Sequence, residues 1–143
     1  MRRSEQIDMT QFDIRQLDRK PSLDEWLEEA KSQPDAGLNG MYLCHNGVVR
    51  MTARARVRNG EDVPDIEGLR LTVDHAEVEK AVAESEQKEG INYIRVWINE
   101  GGLRVGDDMM LVLVGGDIRP HVISTLEYLV GRLKNDCLSE DEF

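Results

Sequence analysis

Residues 109–114 (MMLVLV) are apolar at every position, and glycine turns bound them on both sides: Gly106-Asp107 before, Gly115-Gly116 after. A run of strand length without polar alternation reads as a central strand buried on both faces. Carried on to Gly116 it spans eight residues. Crossing a bilayer takes about 20. The fold is expected to be organised around this strand, with no membrane span.

The flanking sequence changes hydrophobic period several times. Residues 1–20 are polar, with Ile7, Phe12, Ile14 and Leu17 as sparse anchors, and Phe12 and Ile14 alternate as in a short edge strand. Ser22 followed by Glu25 has the spacing of a helix cap, and Leu23, Trp26, Leu27 and Ala30 give one apolar stripe ending before Pro34 and Gly37. From Gly40 the pattern becomes that of a strand reaching Arg50. Arg54, Arg56 and Arg58 alternate with Ala55 and Val57, which predicts three arginines on one face of an extended ribbon, closed by the Asn59-Gly60 turn. Leu69, Leu71 and Val73 predict a half-buried strand. Asp74 then caps a helix carrying Val78, Ala81 and Val82 towards Gly90. Residues 93–98 (YIRVWI) form a further strand by composition, and Gly101-Gly102 reads as a turn. After 115–120 (GGDIRP), the residues Val122, Leu126, Leu129, Val130 and Leu133 predict a last helix, with Pro120 acceptable at its start. The order of helix, strands, helix, strands, helix points to an α+β fold: three helices around a mostly antiparallel sheet.

Composition narrows the class of partner. Twenty-eight Asp and Glu against eighteen Lys and Arg give a net charge of −10. General nucleic-acid binders and anionic-membrane binders need clustered positive charge, so neither partner is expected. The length of 143 residues fits one domain, 1–143, with 1–20 and the acidic tail 135–143 as candidate flexible ends. Asp8 and Asp13 interrupt any signal-like apolar segment after Arg2 and Arg3, which makes the cytoplasm the expected location. Cys44 and Cys137 make neither a disulfide framework nor a ligand pattern, and His45, His75 and His121 share no short spacing. No metal and no cofactor are expected.

Three places carry candidate chemistry. The passage 115–120 leads a strand into a helix N-terminus, where free N–H groups and the helix dipole favour an anion and Arg119 adds a fork for phosphate or carboxylate. An ordinary tight turn with a solvent-facing arginine fits the same residues. Segment 50–58 holds four arginines and no acid. Arg50 at a strand end suits bidentate anion binding, whereas Arg54, Arg56 and Arg58 fit a charged edge strand. Lys134 ends the last apolar stripe; it can serve a reaction as nucleophile or proton carrier, or complement the helix dipole.

From about residue 40 to 134 these pieces, in their order, resemble the catalytic (large) subunit of molybdopterin synthase, the MoaE family. The resemblance rests on Gly40 through Gly47-Val48-Val49-Arg50, on Leu69 to Leu71 with Glu79-Lys80-Ala81, on Gly101-Gly102-Leu103-Arg104-Val105-Gly106-Asp107 before the apolar strand, on Arg119, and on Leu133-Lys134. It implies an α/β hammerhead-type MoaE-like domain acting in molybdenum cofactor biosynthesis. Such a sulfurtransferase moves sulfur from the thiocarboxylate of a ubiquitin-like (MoaD-like) small subunit to cyclic pyranopterin monophosphate. It pairs as a homodimer within a heterotetramer. Arg50 and Arg119 would bind the pterin phosphate and Lys134 would be the catalytic lysine. The chain departs from the family pattern at Ile98-Asn99, where the family has His-Arg, at Ile118 in place of His, and at Thr72-Val73-Asp74. By count from Lys134, Asp141 takes the place of a second functional lysine. Those departures leave a second expectation, a non-catalytic homologue that binds a protein tail or an anionic ligand as a dimeric adaptor or regulator.

Overall fold

The computed structural model describes residues 12–14 and 20–143. The anchors Ile7 and Leu17 lie outside the described residues, as does most of the end at 1–20. In chain order the elements are β1 (Phe12–Ile14), α1 (Leu23–Lys31), β2 (Met41–Val48), α2 (Arg54–Asn59), β3 (Gly68–Val73), α3 (His75–Glu86), β4 (Ile91–Ile98), β5 (Gly101–Arg104), β6 (Asp108–Gly116), α4 (Arg119–Arg132) and β7 (Leu138–Glu142). A 3-10 turn at Ala36–Leu38 follows α1, and a wide π-helical turn at Leu133–Cys137 joins α4 to β7.

Two sheets result. The larger has the order β1-β4-β6-β2, with β6 antiparallel to both neighbours and β1 parallel to β4. The smaller has the order β5-β3-β7 and is antiparallel throughout. As the apolar run predicts, β6 is central and covered on both faces. Met110, Val112 and Val114 enter the larger core with residues of α3, α4 and β3, while Leu111 and Leu113 enter a second core with Trp26 and Ala30 of α1. Its neighbour β4 divides the same way: Ile94, Val96 and Ile98 face the first core, and Tyr93 and Trp97 face the second. The period of 2 along each strand thus assigns alternate residues to two layers. Fully burying one such aliphatic side chain contributes about 1.5–3 kcal/mol.

Both expected helix caps form. The Ser22 hydroxyl accepts the Glu25 N–H at 3.3 Å, and the Asp74 carboxylate accepts the Glu77 N–H at 3.2 Å.

The structure corrects three expectations, beginning with segment 54–58. It is not an extended ribbon but the helix α2, which brings the α-helices among the described residues to four. Arginine and alanine are good helix formers, and Gly60, at φ 69°, closes the helix in the left-handed conformation that glycine tolerates. A second difference concerns Gly101-Gly102, which starts β5, Gly101 pairing with Leu71 and Gly102 with Arg70. The acidic tail is the third, because residues 138–142 form β7 along β3. Backbone N–H and C=O groups at the edge of β3 need partners whatever side chains the pairing strand carries. Beyond β7, the Phe143 N–H donates to the Gly68 carbonyl at 3.0 Å and the Glu67 N–H to the Phe143 carbonyl at 2.7 Å.

Candidate anion-binding cleft

The end of β2, the helix α2, the π-helical turn and β7 meet at one cleft. The Val49 N–H donates to the Asp107 carbonyl, and the Gly106 N–H to the Val49 carbonyl, each at 2.9 Å, which fixes where the strand stops. Arg50 follows immediately; its Nε–H donates to the Thr52 carbonyl at 3.2 Å and its side chain lines the cleft. Helical spacing turns Arg54 and Arg58, four residues apart, to the same side, and both line it too. Arg56 faces elsewhere, donating to the Val63 carbonyl and approaching Asp65 at 3.9 Å. Lys134, carried by the π-helical turn rather than by the last turn of α4, completes the cationic wall.

The opposite wall is acidic and comes from β7. Glu140 Oε1 accepts from Arg54 Nη2 at 2.8 Å, and its Oε2 lies 3.9 Å from Lys134 Nζ. Glu142 Oε2 accepts the Arg54 backbone N–H at 2.9 Å. Alternation along β7 puts Asp141 on the other face, opposite Arg70, so the acid that confronts Lys134 is Glu140.

Of the three residues expected to form the site, the structure brings Arg50 and Lys134 together and leaves Arg119 apart. Arg119 is the exposed first residue of α4, a helix of 14 residues. At about 1.5 Å per residue the helix separates Arg119 from Lys134 by roughly 20 Å. The entry to α4 is also no open anion site. The Asp117 carboxylate accepts the Ile118 N–H at 2.6 Å and approaches His121 Nδ1 at 2.8 Å. The two glycines there accommodate protein rather than a ligand. A Cβ on Gly115 would lie 2.6 Å from the Tyr42 ring, and one on Gly116 would lie 2.6 Å from the Gly90 carbonyl.

The model of one protein family, MoaE protein, matches residues 17–136. The chain belongs to the MoaE family. Membership links it to molybdenum cofactor biosynthesis. Among curated proteins none matches the sequence. Solved structures similar to this MoaE chain include molybdopterin synthase from Staphylococcus aureus, at TM-score 0.66 and 19% identity, over 95% of this chain and 91% of that one. The molybdopterin biosynthesis MoaE protein from Burkholderia ambifaria MC40-6 is similar at TM-score 0.66 and 17% identity, over 90% and 83%. So is a chain in the complex of subunits 1 and 2 of molybdopterin-converting factor from Helicobacter pylori 26695, at TM-score 0.65 and 21% identity, over 92% and 83%. These likenesses establish the shared fold.

Within this MoaE fold the sequence reading missed Arg54, Arg58, Glu140 and His45. The i, i+4 spacing of the two arginines becomes a signal only once the segment is known to be helical. His45, on β2, has a buried Nε2 with no hydrogen-bond partner among the described residues. Burial, and then the positive charge of Lys134, push its pKa down. It therefore favours the neutral ring beside the cationic wall. Among the described residues no group of three or more His, Cys, Asp or Glu could hold a metal ion, and no helix is long and apolar enough to cross a membrane.

Proposed function

We propose that this chain is a large-subunit relative of molybdopterin synthase. It transfers sulfur from the thiocarboxylate of a ubiquitin-like small subunit to cyclic pyranopterin monophosphate. The observation that carries the reading is the meeting of Arg50 and Lys134 at one cleft. An arginine fork suits the anionic substrate, and a half-exposed lysine beside it suits a group that touches the thiocarboxylate or the attacked carbons. Lys134 is the proposed catalytic residue; Arg50 and Arg119 are the proposed substrate-binding ones.

Arg119 lies too far along α4 to join this cleft within one chain, so its proposed role requires a second copy, in keeping with a homodimer. The test is to mix the chain with thiocarboxylated carrier and the cyclic pterin and to measure dithiolene product. Lys134→Ala should abolish product, and Arg119→Ala should lower it. Mixing the two variants should restore part of the activity, because one cleft of a mixed pair carries neither substitution. Restoration that never occurs removes Arg119 from the site, and wild-type chain without product defeats the catalytic reading.

One observation favours the second reading, a non-catalytic adaptor. The carboxylate of Glu140 already sits against Lys134, where a productive site would keep the amine for substrate. Carrier binding without turnover supports the adaptor.

A further inference from the structure

Glu140 sits among cations as a ligand would. Its side chain is only 12% exposed, and it gives one oxygen to Arg54 at 2.8 Å while the other faces Lys134 at 3.9 Å. A carboxylate between an arginine fork and a lysine ammonium reproduces the contacts by which proteins hold carboxylate and phosphate groups. Arg50 and Arg58 line the same cleft, and neither has a carboxylate within 4.0 Å among the described residues. Among the described residues four cations therefore face two carboxylates, Glu140 and Glu142, leaving two positive charges in excess on a chain whose net charge is −10. A purely structural ion pair would need neither that excess nor room beside it. The cleft itself holds only about 50 Å³, but a cavity of about 300 Å³ that shares Arg54, Arg58, Glu140 and Glu142 with it, and not Arg50 or Lys134, opens beside it.

We propose that Arg54, Arg58 and Lys134 form an anion subsite which Glu140 fills in the free protein, and that an incoming carboxylate or phosphate group enters by displacing Glu140 from Arg54. The exchange replaces one charge-assisted hydrogen bond with another, so its direction is set by charge. With Glu140 displaced, the cleft carries about three positive charges in excess; a phosphate dianion leaves about one, whereas a monoanion leaves about two, as Glu140 does. The strand that carries Glu140 need not unpair, since rotation of one side chain clears the subsite. The subsite shares Lys134 with the sulfur-transfer cleft, but it stands on ion geometry and is tested by binding rather than turnover.

The experiment is a calorimetric titration of the full chain at low ionic strength, with inorganic phosphate in one arm and acetate in the other. Glu140→Gln keeps the shape of the side chain and removes its charge, and should tighten phosphate binding about tenfold. Arg54→Gln in the otherwise native chain should weaken it about fivefold, and this variant carries the test alone if the first does not fold. A gain confined to phosphate identifies a phosphoryl group as the natural occupant, whereas an equal gain with acetate identifies a carboxylate such as a chain terminus. Phosphate affinity unmoved by either substitution overturns the subsite. So does a gain in Glu140→Gln that survives the additional loss of Arg54, because the anion would then lie elsewhere. Phosphate binding that responds as expected in a chain that makes no dithiolene leaves the subsite standing and removes only the sulfur-transfer reading.

Discussion

His45 and His121 occupy opposite electrostatic settings. The ring of His45 is partly buried near Lys134 and its pKa is pushed down. That of His121 bonds the Asp117 carboxylate, with Glu89 beyond at 3.6 Å, and its pKa is pushed up. An NMR titration should therefore find His45 below and His121 above the ordinary histidine value of about 6.5. Lys134→Gln should raise the first midpoint, and Asp117→Asn should lower the second. The stability consequences have opposite signs. The His121 contribution is present in full below about pH 6.5 and fades as pH rises through its elevated midpoint. The His45 contribution is present above about pH 6.5 and is lost as pH falls through its depressed midpoint. None of this was legible from three scattered histidines, because the partners, Lys134 and Asp117, are set by how β2 and α4 pack. Arg50 and Lys134 could be singled out from sequence because each ends an element, and element ends are visible as changes of period.

At the scale of elements, β7 links the fold to the cleft. It supplies an outer strand to the smaller sheet and both carboxylates of the acidic wall. Removing residues 138–143 should lower the melting temperature by roughly 5–10 °C, at about 3 °C per kcal/mol for a chain of this size. It should also promote aggregation through the bared edge of β3, as thermal melts with light scattering would register. A truncated chain that melts unchanged would mean that the ladder with β3 contributes little. The sequence hid this strand because Ser-Glu-Asp-Glu has poor strand propensity, and its order comes from the backbone partner that β3 offers. The helix α2 was hidden for the converse reason. In five residues, alternating Arg with Ala and Val satisfies a period of 2, and only the Gly60 cap and the anchoring of Arg54 by Glu142 decide for a helix. By contrast, α1 and α3 announced themselves through Ser22 and Asp74, whose capping bonds are local and need no tertiary partner.

Across the whole molecule, what the apolar run at 109–114 foretold was a sheet covered on both sides, and that is the arrangement the cores show. Which helix covers which face was not legible, since the alternating residues of β6 are equally apolar and nothing in them distinguishes α1 from α4. The division has an optical consequence. Both tryptophans, Trp26 and Trp97, belong to the layer under α1, where the Arg95 guanidinium lies 4.8 Å from the Trp26 ring centre. Tryptophan fluorescence therefore reports on one side of the sheet and is blind to the side that holds the cleft. Because β4 and β6 give alternate residues to both layers, fluorescence and far-ultraviolet circular dichroism should report the same thermal midpoint. An emission change that comes first would mean that α1 lifts away while the opposite layer stays folded. Ligands entering the cleft should leave the emission spectrum almost untouched, so a binding assay for this protein needs a reporter placed on the other face.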